Sequence, residues 1–103
     1  MSKGRILVVD DNPNLLELIR MRLESAEFEV MATADEEQAT QALKEQRFDL
    51  CIVDLMLANG DGLTLMDEFR SINPDVPTII LTAHGSIENA VEAMRRGAYT
   101  YVT

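Results

Sequence analysis

Ile6-Leu7-Val8-Val9-Asp10-Asp11 and Leu50-Cys51-Ile52-Val53-Asp54 are two short apolar runs, each ending on acid. If they are neighbouring parallel strands, their carboxyl ends bring Asp10, Asp11 and Asp54 into one crevice. Three carboxylates there repel one another unless a cation or a proton intervenes. The pattern is that of a divalent metal site with a candidate nucleophile, Asp54, beside it.

Working outward, apolar runs bounded by polar or turn residues recur at 5–10, 28–33, 50–54, 78–82 and 99–103, with helix-like stretches between them. After the first run, Asn12 or Asp11 can cap a helix with Pro13 in its first turn, and Leu15, Leu16, Ile19 and Leu23 repeat at helical spacing to about Ala26. A second helix over 35–46 opens on Asp35-Glu36-Glu37, acids at the positive end of its dipole, and turns Ala39, Ala42 and Leu43 inward. The turn cluster Asn59-Gly60-Asp61-Gly62 precedes a third, with Leu63, Leu65, Met66, Phe69 and Ile72 on its apolar face and Asn73-Pro74 at its end. Ser86 reads as the N-cap of a fourth, whose stripe of Ile87, Ala90, Val91 and Met94 stops at Gly97. Met21, Met31, Met66 and Met94 fall at core-like positions. The series β-α-β-α-β-α-β-α-β predicts an α/β fold, a parallel sheet covered on both faces.

The chain of 103 residues has length for one domain, 1–103, and no repeat or linker divides it. A final strand with no helix after it reads as a piece of a longer protein, cut before its last helix. With 47% hydrophobic and 26% charged residues, the composition is ordinary for a globular protein. No run approaches the roughly 18 apolar residues of a membrane span, and Met1-Ser2-Lys3-Gly4-Arg5 carries no signal-peptide pattern, so a cytoplasmic location is expected. A net charge of −9, with nine dispersed Lys and Arg, argues against direct nucleic-acid binding by this domain. A basic partner surface or a bound cation suits it better. The single cysteine, Cys51, reads as a small core residue.

In an open doubly wound sheet, ligands sit beyond the carboxyl ends of the strands at the topological switch point. Asp10, Asp11, Asp54 and Thr82, at the end of the fourth run, meet that positional test. Hard oxygen ligands of this kind suit Mg²⁺. Asp54 beside that ion could attack a phosphoryl group and form an acyl phosphate, which Thr82 would bond. His84 reads as a solvent-facing loop residue, with a role as base or phosphoryl carrier as the alternative. Arg95 and Arg96 complement the negative end of the fourth helix, with a docking patch as the other reading.

Ile6-Leu7-Val8-Val9-Asp10-Asp11, Asp54, Gly60-Asp61-Gly62-Leu63, Leu81-Thr82-Ala83-His84-Gly85 and Gly97-Ala98-Tyr99-Thr100-Tyr101-Val102-Thr103 together resemble the receiver domain of two-component response regulators, over essentially the whole chain. The resemblance implies a flavodoxin-like doubly wound sheet of order 2-1-3-4-5 and a sensor histidine kinase that donates a phosphoryl group to one aspartate. By position, Asp54 resembles the phosphoacceptor, and Asp10 and Asp11 the acidic pair that holds Mg²⁺ with it. Met56 resembles the residue lending the ion a backbone carbonyl, and Thr82 and Tyr101 the switch pair. The face made by the fourth helix and fifth strand is then the expected homodimer or partner surface. The segment from Leu81 to Tyr99 further resembles receivers of enhancer-binding transcription activators of the nitrogen-regulation type.

Two departures accompany the likeness. The family's phosphate-contacting lysine should follow Thr103, and Ala58 stands where the family usually shows proline, which predicts a looser loop. A bulky Met56 two residues beyond Asp54 cannot orient a hydrolytic water, which hints at a long-lived phosphorylated state. It also counts against an aspartyl-phosphate phosphatase, which usually carries a second Asp at that position. A receiver-like interaction module that is never phosphorylated is the other alternative. Retention of Asp10, Asp11, Asp54 and Thr82 disfavours it.

Overall fold

The computed structural model describes residues 2–54, 56–57, 60–81 and 87–102. Its elements, in chain order, are β1 (Arg5–Val9), α1 (Pro13–Ser25), β2 (Glu29–Thr33), α2 (Glu36–Glu45), β3 (Leu50–Asp54), β4 (Met56–Leu57), β5 (Gly60–Asp61), α3 (Gly62–Ile72), β6 (Thr78–Leu81), α4 (Ile87–Arg95) and β7 (Thr100–Val102). Five strands form one sheet in the order β2-β1-β3-β6-β7, all neighbours parallel. With the two-residue strands of the β4-β5 ribbon set aside, this is the expected order 2-1-3-4-5.

β1 is an interior strand, and Ile6 through Val9 are all buried because helices cover both faces of a parallel sheet. Alternation along the strand divides them. Leu7 and Val9 join Cys51, Val53 and Ile80 in the main core, closed by Ala39, Ala42 and Leu43 of α2, by Leu63, Leu65, Met66 and Phe69 of α3 and by Ala93 of α4. Ile6 and Val8 point the other way, to the face that α1 packs on.

The helix starts follow local chemistry. Asn12 caps α1: its Oδ1 accepts from the Asn14 N–H at 3.0 Å and the Leu15 N–H at 3.2 Å, with Pro13 in the first turn. Asp35 does the same for α2, accepting from Glu37 at 2.8 Å and Gln38 at 3.2 Å. The expected cap of α4, Ser86, lies outside the described residues, as do Ala58, Thr82, His84 and Thr103.

Three details differ from expectation. Met21 is exposed, because two residues on a helix is about 200° of rotation and so sets it opposite both Ile19 and Leu23. Of the expected α4 stripe, Val91 and Met94 are exposed while the neighbouring Ala93 is buried; the side chains of Ile87 and Ala90 lie outside the described residues. The turn cluster around Gly60 also pairs, Met56 opposite Asp61 and Leu57 opposite Gly60, as a short antiparallel ribbon between β3 and α3 in the chain.

Candidate functional site

The strand register assembles the site. Val9 pairs with Val53, so the residues that follow, Asp10 and Asp54, leave adjacent strands at the same level. The Asp10 N–H donates to the Thr33 carbonyl at 3.2 Å, extending the β1–β2 ladder by one residue and fixing the Asp10 backbone. Asp10 is 1% exposed, Asp54 is partly buried and Asp11 faces solvent. One carboxylate oxygen from each of the three lies within 4.8 Å of the others.

Asp10 is the costly member. Its Oδ1 accepts the Asn12 N–H at 2.8 Å, while Oδ2 is buried with no hydrogen-bond partner. Burial pushes its carboxyl above the ordinary value, an effect that the Asn12 backbone hydrogen bond opposes, the Asp11 charge reinforces and a side-chain hydrogen bond with Asp54 opposes. An orphaned buried oxygen beside two more carboxylates fits a hard divalent cation, which would satisfy Oδ2 and offset the repulsion. The donor set is all oxygen, which suits Mg²⁺ or Ca²⁺ and not the softer metals.

Met56 is the second residue after Asp54, and its backbone lies in β4. Leu81, paired with Asp54 on one side and Val102 on the other, is the last described residue before Thr82. Tyr101 lies in β7 opposite Ile80. The structure thus brings Asp10, Asp11 and Asp54 together and sets the strands that carry Leu81 and Tyr101 alongside.

Arg96 is paired with Asp67 of α3, and Arg95 reaches Glu92 at 3.6 Å. Cys51 is buried and its thiol is pushed up to about 12 by desolvation, which removes it from nucleophilic chemistry. Sequence reading missed the unequal roles of Asp10 and Asp11. Strand alternation sends consecutive side chains to opposite sides, but which of the two is buried is set by tertiary packing.

The model of the response regulator receiver domain family matches residues 6–103. The chain is 39% identical over 100 residues to the transcriptional regulatory protein GlrR of Escherichia coli K12, covering 97% of this chain and 22% of that protein. It spans about a fifth of the length of the curated relatives it matches. Among solved structures, it is similar to a response regulator protein from Burkholderia pseudomallei with a phosphorylated aspartic acid, calcium ion and citrate. That similarity has a TM-score of 0.89 and 30% identity, over 96% of this chain and 58% of the other. The beryllofluoride-activated NtrC4 receiver domain dimer is similar at a TM-score of 0.88 and 31% identity, over 94% of this chain and 82% of the other.

Proposed function

This chain belongs to the response regulator receiver domain family, and from that premise we propose that Asp54 accepts a phosphoryl group from a sensor histidine kinase and that the change is passed to an output. The observation that carries the proposal is the convergence of Asp10, Asp11 and Asp54, with oxygens within 4.8 Å and one buried oxygen unpartnered. Asp10, Asp11, Asp54 and the Met56 backbone carbonyl are the ligands we assign to Mg²⁺. When bound, the ion neutralises charge on the transferring phosphoryl oxygens. An Asp54 carboxylate oxygen forms the new P–O bond as the P–N bond to the kinase histidine breaks, and the released imidazole takes up a proton. Thr82 and Tyr101 are assigned to the switch that follows. The phosphorylated aspartic acid and calcium of the Burkholderia relative support this reading.

The output is transcription regulation, a reading supported by curated relatives that are transcriptional regulatory proteins. The same domain is assigned to the cytoplasm, and among the described residues no helix is long and apolar enough to cross a membrane. A homodimer is a reading supported by the dimer of the NtrC4 receiver, and the α4–β7 face is the surface we assign to it. Val91, Met94, Tyr99 and Val102 there are exposed to 50%, 40%, 71% and 49%.

The test is intact-protein mass spectrometry after incubation with acetyl phosphate, with and without Mg²⁺, on this chain and on Asp54→Asn. One phosphoryl adduct that requires both Mg²⁺ and Asp54 is expected. An adduct that survives Asp54→Asn refutes the assignment. Absence of any adduct, including on a chain extended past Thr103, favours the interaction module that is never phosphorylated.

A further inference from the structure

Away from the acidic crevice, α3 reaches across to the carboxyl end of α4 with two side chains. Asp67 and Arg70 are three residues apart and so share a face of α3. The Asp67 carboxylate accepts from the Arg96 guanidinium. Arg70 Nη1 donates to the Gly97 carbonyl at 2.9 Å. Gly97 has φ +102°, the left-handed region that closes a helix. Its N–H bonds the Met94 carbonyl at 3.2 Å, and the Ala98 N–H bonds that of Ala93 at 2.9 Å, the paired pattern of a Schellman cap. A Cβ on Gly97 would lie 2.6 Å from Arg70 Cζ, so the guanidinium rests against the bare Cα. The chain then passes through buried Ala98 to Tyr99, whose N–H donates to the Thr78 carbonyl at 2.8 Å, and enters β7.

Among the described residues, apolar packing at this end of α4 comes from two small side chains, Ala93 and Ala98, both in the main core. Val91 and Met94 are exposed and Ala93 alone of the three is buried. A helix of nine residues does not persist without tertiary support. We propose that Asp67 and Arg70 form a polar clamp that decides whether the end of α4 and the entry to β7 stay docked or open together as one local unit. The clamp belongs to the fold itself and acts whether or not Asp54 is phosphorylated, so its test stands apart from the phosphoacceptor reading. Loss of the clamp frees the corner without unfolding the sheet, because β1 and β3 are held by an apolar core that Asp67 and Arg70 do not enter.

Amide hydrogen exchange on the whole chain, without phosphodonor, tests this. Arg70→Met keeps the side chain's length and removes the donor. It is expected to speed exchange of the Gly97, Ala98 and Tyr99 amides about tenfold, the size expected for losing a hydrogen bond from a charged donor. The Leu7, Val8 and Cys51 amides are expected to be unchanged. Asp67→Asn keeps shape, removes the charge and is expected to give a smaller acceleration, about twofold, at the same corner. Unchanged corner rates in both variants overturn the proposal. Equal acceleration at Leu7 and Cys51 also overturns it, since that is general loss of stability.

Discussion

The Asn12 N–H donates to Oδ1 of Asp10 at 2.8 Å, while Asn12's own side chain caps α1. One residue therefore serves two purposes. Its backbone orients the buried carboxylate, and its amide oxygen satisfies the first free N–H groups of the helix.

These two roles separate on mutation. Asn12→Ala keeps the backbone N–H and removes the cap, so it is expected to cost about 1 kcal/mol of stability. Urea denaturation at pH 7 measures that loss. Acetyl phosphate labelling of the folded variant is expected to continue, and loss of labelling would mean that the side chain has a further role at the site.

Asp10 ties stability to pH. Its folded pKa is raised above the ordinary value of 3.8, so the folded chain binds this proton more tightly than the unfolded one. The resulting stabilisation is complete below the ordinary value and is lost as pH rises through the raised folded value. At neutral pH the ionised, buried carboxylate destabilises the metal-free protein. Asp10→Asn is expected to raise metal-free stability at pH 7 by on the order of 1 kcal/mol, and to remove that part of the pH dependence. Denaturation series from pH 3 to 8 in EDTA measure both.

Mg²⁺ should act through the same carboxylates. Thermal melts at pH 7 are expected to show stabilisation that grows with Mg²⁺ concentration as ligand linkage requires. The increment is expected to be lost in Asp10→Asn and in Asp54→Asn. A full increment in both variants would place the binding elsewhere.

Glu27 is the one non-glycine residue with positive φ, 73°, among the described residues. It occupies the turn after α1, where the Phe28 N–H bonds the Leu23 carbonyl at 3.1 Å and the Glu27 N–H bonds that of Glu24 at 3.0 Å. Glu27→Gly removes the left-handed strain and forfeits an exposed ion pair with Lys3 at 3.7 Å that contributes little. A gain of about 0.5–1 kcal/mol is expected, seen as a higher Tm. A lower Tm would show that the ion pair or the side chain matters more than the backbone.

Cys51 is expected to resist a thiol reagent such as dithionitrobenzoate in the native protein and to react fully in 6 M guanidinium. Burial both blocks access and holds the thiol protonated. Rapid native labelling would mean that β3 opens readily.

Much of the fold was legible because it rests on local rules. The apolar run Ile6 to Val9 can be satisfied only by burial on both faces, and Asn12-Pro13 and Asp35 state where helices start. The acids were legible for the same reason, since an apolar strand that stops on Asp places that Asp at a carboxyl end. What lay beyond local rules was contact between distant segments. Met21 and Met94 read as core because methionine is apolar, yet whether such a side chain finds a partner depends on the rotation of its helix against the sheet. Arg96 looked like a helix-end charge, and its pairing with Asp67 required α3 and α4 to be placed first.

The sequence by itself determined the alternation of strands and helices, the parallel sheet and the three acids at its carboxyl edge, because hydrophobic period, capping residues and strand ends are properties of neighbouring residues. Only the tertiary structure decided that Val9 sits opposite Val53, that Asp10 is buried with one orphan oxygen while Asp11 is not, and that α3 holds the end of α4. Register, burial and ion pairing depend on residues tens of positions apart meeting in space, and nothing in either partner's neighbourhood encodes the meeting.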